Sequence, residues 1–339
     1  MTESSPDDLA AWSLHCFCIT ARRTPHSLVR LDTNGRLLLA ARHGTSRALL
    51  RDGGLLLADS QLVLLRDAGL LAMEGDRVRT AFPILAADAI EPVRTALRSE
   101  AARLVAAWDG DLAAIHRLLA DRNFRDHAFA IVFGHVLDGM LWTLLRYRRA
   151  IPETALTLER PDWRGAFWAL WPPRQGSAGT NELRTDAARL VMTWTPATAS
   201  AFDAIVQDSR LAEEVLAAGR RVVRGAAEIQ LANLQGGTPE HAFRVPAIRT
   251  GLDGPLAQAG GRMVLAVEAA LASASDLQLA LLHAGVADHR VATVILGHEL
   301  IWEIADILVA QQKVHLPPAA AAPGAPSALS DLMFLAVDG

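Results

Sequence analysis

The most informative pattern of hydrophobic and polar positions runs from Thr45 to Leu85, "TSRALLRDGGLLLADSQLVLLRDAGLLAMEGDRVRTAFPIL". Leu62, Leu65 and Leu70 fall near helical spacing, and Gly69 stands where a left-handed cap would end that helix. The residues that follow alternate around Glu74-Gly75-Asp76, a turn-forming centre that predicts a hairpin. Further along, two long apolar runs repeat one phrase: "RDHAFAIVFGHVLDGMLW" from Arg125 and "ADHRVATVILGHELIWEI" from Ala287. Helices are predicted at about 88–107, 110–120 and 126–147, and again at about 254–273, 276–284 and 288–311. The last of each set is apolar on most faces and so belongs in an interior.

The repeated phrase predicts a duplicated chain. Asp126-His127 aligns with Asp288-His289, and Gly134-His135 falls one residue out of step with Gly297-His298. "DLAAIHRLL" and "DLQLALLH" precede the phrases, Pro152 and Pro317 close them, and the offset stays near half the chain. The expectation is a first repeat over 1–160, with a small module at about 10–87 and helices at 88–150. A second, degenerate repeat spans 161–320, with a module at about 185–250, whose own turn is "LQGGTPEH", and helices at 254–312. A tail at 321–339 follows, in which "DLMFLAVDG" docks back through its apolar residues. The fold class expected is mainly α with small β-hairpin wings, a winged-helix plus helical-bundle unit present twice about an internal pseudo-two-fold. Asp126 and Asp288 are expected to cap the two long helices.

Helix, helix, "AGLL", the turn "EGD" and then "RVRTAFPIL" resemble a winged helix-turn-helix module, ArsR/MarR-like, over about residues 36–85. The resemblance implies a recognition helix around Ser60 to Gly69 and a wing around Gly75. It points to Ser60, Gln61 and Arg66 on that helix, Arg47 and Arg51 on the preceding one, and Arg77 and Arg79 on the wing as DNA-binding residues. Between residues 20 and 80 there are ten arginines against six acids, enough to touch phosphate. Asp59 and Asp67 on the same helix pull the other way.

Composition narrows the field. With 339 residues and 51% hydrophobic content, the chain can bury a large core. A net charge of -4 supplies no global field toward nucleic acid or an anionic membrane, so such binding needs a local patch. Lys313 is the only lysine, an arginine-for-lysine texture typical of GC-rich bacterial genomes. The two cysteines, Cys16 and Cys18, form no disulfide framework, which implies a reducing, cytoplasmic setting. The start "MTESSPDDLA" lacks the basic and apolar parts of a secretory signal. The run 128–145 has the length of a membrane span, but His135 and Asp138 in its middle predict a buried core helix and no membrane.

Two clusters could carry chemistry. His135 and His298 sit inside the repeated helices, with Asp138, Glu299 and Glu303 near enough in sequence to tune them. "HELIWE" is not HExxH, since Trp302 holds the fifth position, so no metal and no cofactor are expected. Trp163, Trp168 and Trp171 fall within a short stretch followed by a polar loop. With His135, Trp142, Arg174, Asn181, His298 and Trp302 they make the expected ligand pocket, an aromatic wall with a few aimed polar groups. Neither GxxxxGK[ST] nor GxSxG occurs. The favoured expectation is a transcriptional regulator that binds DNA and a small aromatic effector between its halves, with a homodimer as its assembly. The alternative is a tailoring enzyme using His135, Asp138, His298 and Glu299 for acid–base work.

Overall fold

The computed structural model describes residues 5–19, 21–174, 176–208, 210–231, 243–250, 254–317 and 329–338. About 53% of the chain is helical and 16% is strand, in three sheets of three, three and five strands. This is an α/β mix, and it overturns the expectation of a mainly α chain. The physical reason lies in the runs "AFWAL", "RLVMTW" and "MFLAVD". They are short, nearly continuous apolar stretches without the alternation that marks a half-exposed strand. All are strands with mostly buried side chains.

The duplication is also overturned. The first long apolar phrase folds as a 3-10 turn, Arg125–His127, a π-helix, Ala130–Met140, and an α-helix, Leu141–Tyr147. The second is one regular α-helix, His289–Ala310. Within the first, the Leu141 N–H reaches back five residues to the Val136 carbonyl. Asp288 does cap its helix, accepting from the Arg290 N–H at 2.8 Å, whereas the turn at Arg125 has no side-chain cap. The two presumed modules differ as well, as the strands below show, so the described residues give no evidence of a duplication. The turn "LQGGTPEH" lies outside the described residues.

The chain forms two compact units. The first comprises Met1–Ala96, Arg146–Arg174 and Ala274–His298. It holds two small sheets. One has β1 (Ser13–Phe17), β6 (Ala166–Leu170) and β5 (Ile84–Leu85) in the order β1-β6-β5, with β1 antiparallel and β5 parallel to β6. The other has β2 (Thr45–Ser46), β3 (Leu71–Glu74) and β4 (Arg77–Thr80) in the order β2-β4-β3, all antiparallel. A leucine-rich core joins them: Leu37, Leu38, Leu50, Leu62, Leu65 and Leu70 pack with Leu14, Phe167 and Ala169. Gly165 lets β1 and β6 close, since a Cβ there would lie 2.0 Å from the Phe17 carbonyl oxygen.

The second unit comprises Leu97–Leu145, Gln175–Ser273 and Glu299–Gly339. Its sheet runs β7-β8-β11-β10-β9, from β7 (Gly179–Arg184), β8 (Arg189–Trp194), β9 (Glu228–Leu231), β10 (Phe243–Thr250) and β11 (Met333–Asp338). The docking expected of "DLMFLAVDG" is thus strand insertion: β11 is the middle strand, antiparallel to β8 and parallel to β10. The π-helix lies close on this sheet. A Cβ at Gly134 would fall 2.1 Å from Thr193 Oγ1. The helix Gly254–Ser273 meets the π-helix through Gly260, where a Cβ would touch Met140 and Val136. One helical run, Arg125–Tyr147, is long and apolar enough to cross a membrane, and 72% of its most apolar window is buried. The pair Gly254–Ser273 and Ser275–His283 passes the same test only together, with a bend of 57°.

Candidate functional site

The first candidate is the helix–wing face of unit one. Ser46 ends β2 and caps the helix Arg47–Asp52, its Oγ accepting from the Leu49 N–H at 3.1 Å. Gly54, in the left-handed region at φ +82°, turns the chain toward the helix Asp59–Asp67. That helix buries Leu62 and Leu65 and ends at Gly69, φ +73°, as its spacing predicts. The hairpin β3–β4 turns at Gly75. Strand alternation puts Val78 and Thr80 inward and leaves Arg77 and Arg79 exposed.

The DNA-facing residues divide into three groups. Arg51, Arg77 and Arg79 are exposed and make no ion pair among the described residues. Arg47 and Arg66 are matched to acids, Arg47 to Asp59 at 3.5 Å and Arg66 to Asp67 at 2.9 Å. Gln61 is turned inward, donating to Asn34 Oδ1 at 2.7 Å and Thr33 Oγ1 at 3.3 Å, while Asn34, fully buried, donates to the Leu28 carbonyl at 2.7 Å. Gln61 therefore ties the helix Asn34–Ala40 to the helix Asp59–Asp67 and does not face outward. Asp59, Ser60, Val63, Leu64, Arg66 and Asp67 are the exposed residues of that helix.

The second candidate is a ring cluster in the same unit. In the register of β1 on β6, His15 stands opposite Trp168, and their rings stack at 5.3 Å. His298 meets Trp168 edge-on at 5.2 Å and Phe17 at 5.8 Å. Its Nδ1–H donates to the Val294 carbonyl at 2.8 Å, which fixes the tautomer. His15 Nε2 is hydrogen-bonded to Ser13 Oγ at 2.9 Å. Burial lowers His15 to a pKa of about 3, helped by His298, His26 and Arg94, and burial lowers His298 to about 4. Both imidazoles are neutral at pH 7. Trp168 is buried, and its indole N–H finds no acceptor among the described residues. The other two tryptophans of the stretch go elsewhere: Trp163 donates to the Ala68 carbonyl at 3.0 Å and Trp171 lies 6.3 Å from the Trp12 ring. Arg174 is half-buried in this unit.

The remaining predicted pocket residues belong to unit two. Asp138 projects from the π-helix and accepts from Trp142 Nε1 at 2.8 Å and from Thr180 Oγ1 at 2.9 Å. Burial outweighs these bonds and raises its carboxyl to about 7. His135 packs edge-on against Phe334 at 5.6 Å. Trp302 donates to the Ala178 carbonyl at 2.7 Å, Asn181 to Asp203 at 3.4 Å, and Glu299 is fully buried. Trp168 and His298 thus come together in one unit, and Asp138 and Trp142 in the other.

His15 and the buried Thr193 were missed by sequence reasoning. The period-two pattern of "SLHCF" was the available signal for His15, but its partner strand lies far along the chain. Among the described residues no group of three His, Cys, Asp or Glu side chains could hold a metal ion. No protein-family model, curated protein or solved structure matches this chain.

Proposed function

We propose that the protein is a DNA-binding regulator whose first unit carries a winged-helix module. The observation that carries this reading is the arrangement β2, helix 47–52, helix 59–67, β3–β4, with strand order β2-β4-β3 and the unpaired arginines Arg51, Arg77 and Arg79 on its surface. Such a module sets its second helix in the major groove and its wing on the flanking backbone. With Gln61 turned inward, base contact falls to Ser60 and Arg66, and to Val63 and Leu64 against thymine methyl groups. Phosphate contact falls to the free arginines.

The test is fluorescence anisotropy on a fragment from upstream of the protein's own gene and on random duplex, over a range of salt. A specific complex weakened by salt is expected, and Arg77→Ala with Arg79→Ala should flatten the log–log salt slope by roughly two. Equal affinity for both duplexes, or a slope unchanged in the double variant, refutes the reading. For the effector, the neutral His15, Trp168 and His298 rings suit a planar aromatic molecule with a hydrogen-bond acceptor for the Trp168 N–H.

A second reading, an acid–base enzyme, is favoured by Asp138 alone. A carboxyl with a pKa near neutrality, on the same π-helix as His135 and three residues from it, is suited to proton transfer. Asp138→Asn abolishing a turnover while the fold survives would establish it.

A further inference from the structure

Of the chain's two cysteines, Cys16 lies in β1 and Cys18 just past its end; with one residue between them, their side chains leave on the same side. That is the side away from His15 and toward the module's core, against which Cys16 packs. Cys16 Sγ donates to Cys18 Sγ across 3.5 Å, and both residues keep some exposure to solvent. This bond, with burial, holds the Cys16 thiol far up; the same bond pulls Cys18 down against its own burial. The pair is asymmetric in place: the Cys16 S–H points at the Cys18 sulfur, which can then stand as the acceptor, a thiolate. Cys18 also lies one residue beyond Phe17, the last residue of β1 paired to β6, so the ladder does not hold it.

We propose that Cys16 and Cys18 form a dithiol that hydroperoxides oxidise to an intramolecular disulfide, with Cys18 as the attacking sulfur and Cys16 as the resolving one. In the first step the Cys18 sulfur attacks a peroxide oxygen. The O–O bond breaks, Cys18 becomes a sulfenic acid, and the departing oxygen takes up a proton as water or an alcohol. In the second step the Cys16 sulfur attacks Cys18, the S–O bond breaks, and water leaves with the Cys16 proton. Two thiols and one hydroperoxide give one disulfide, water and an alcohol, or two waters from hydrogen peroxide.

Two residues of extended chain span about 6.6 Å between Cα atoms, the upper end of what a disulfide tolerates. Closure therefore contracts the end of β1, and a strained bond of this kind is easily reduced again. The contraction falls on Phe17, whose ring faces His298, and on Cys16 in the module's core. On the regulator reading, from which only this consequence derives, oxidation changes DNA affinity.

The experiment uses full-length protein treated with one equivalent of hydrogen peroxide, then N-ethylmaleimide, and weighed intact. Wild type should lose both alkylatable thiols and weigh two hydrogens less, with no disulfide-linked dimer. Cys16→Ser should stop at a sulfenic acid on Cys18 that dimedone traps, and Cys18→Ser should react at least ~10-fold more slowly. Two thiols surviving in wild type or dimers alone overturn the dithiol, and a Cys18→Ser variant as reactive as Cys16→Ser overturns Cys18 as its attacking sulfur. DNA affinity of the oxidised protein should shift ~10-fold and return with dithiothreitol. A disulfide that forms without that shift overturns the regulatory consequence. Reduced protein that binds no DNA, yet still closes the disulfide, overturns the DNA reading and leaves the dithiol standing.

Discussion

Asp138→Asn is expected to stabilise the protein, and to do so by more at alkaline pH than near pH 5. The wild-type residue is half-buried, its carboxyl held between the π-helix and β7 with Trp142 and Thr180 as its two donors. Raising it from 3.8 to about 7 means that the folded state holds its proton more tightly than the unfolded state. Between those values folding takes up a proton, so this residue's contribution falls as pH rises from about 4 through about 7, then levels off. At 1.36 kcal/mol per pH unit the full cost of ionising it in place is ~4 kcal/mol, an upper figure because water and side chains relax around the charge. Asparagine mimics the protonated acid. Its oxygen can still accept from Trp142, and its amide can donate to the Thr180 hydroxyl, which accepts as readily as it donates. Urea unfolding of wild type and variant at pH 5 and pH 8.5, followed by tryptophan fluorescence, isolates the effect because other titrating groups cancel in the difference. A gain that is larger at the higher pH by ~1–3 kcal/mol is expected. A difference that stays flat across this range refutes the account of Asp138.

Gly165→Ala should cost ~3 kcal/mol or more, since its Cβ would meet the Phe17 carbonyl at 2.0 Å and its φ of +143° disfavours any side chain; a thermal melt within a degree of wild type contradicts this. Gln61→Ala leaves the buried Asn34 short of a partner and should lose ~1–3 kcal/mol, whereas Ser60→Ala should lose almost nothing by the same denaturation assay. Burial holds His127 and His298 at about 4, so both imidazoles should remain neutral at pH 5.5 in long-range proton–nitrogen spectra. Their depressed values also mean that stability is lost as pH falls from 6.5 toward 4, while the unfolded histidines take up protons. Trp168→Phe removes an indole N–H that has no acceptor among the described residues, so it should shift stability by less than ~1.5 kcal/mol, well below the usual cost of truncating a buried tryptophan.

What the sequence made legible follows from range. The helix ending at Gly69 and the hairpin about Gly75 are local, and spacing with two glycines was enough to place them. The strand "AFWAL" was not legible, because its apolar run fits a buried helix as well as a strand and its partner, "SLHCF", lies far away. The repeated Asp-His and Gly-His phrases misled for a related reason. They record composition and spacing, but tertiary surroundings decide whether such a run becomes a π-helix pressed on Thr193 or a regular helix. Part of the candidate ring cluster was visible for the same reason: Trp168 and His298 stood out by type, while His15, which completes their stack, is placed only by strand register. Gln61 looked like a base reader because helix position was readable and its inward hydrogen bonds were not.

The position of β11 also bears on the order of assembly. Strands β8 and β10 lie on either side of it and touch through it, so the five-stranded sheet is two separate hairpin-like pieces until residues 333–338 arrive. During synthesis β7–β8 and β9–β10 can each pair early, yet both expose an unpaired edge toward the missing strand. Closing that gap is a long-range event, slow compared with forming the local module of the first unit. The nascent chain therefore passes through a stage with its helix–wing module complete and its larger sheet open, the stage at which a chaperone would find sticky edges to bind.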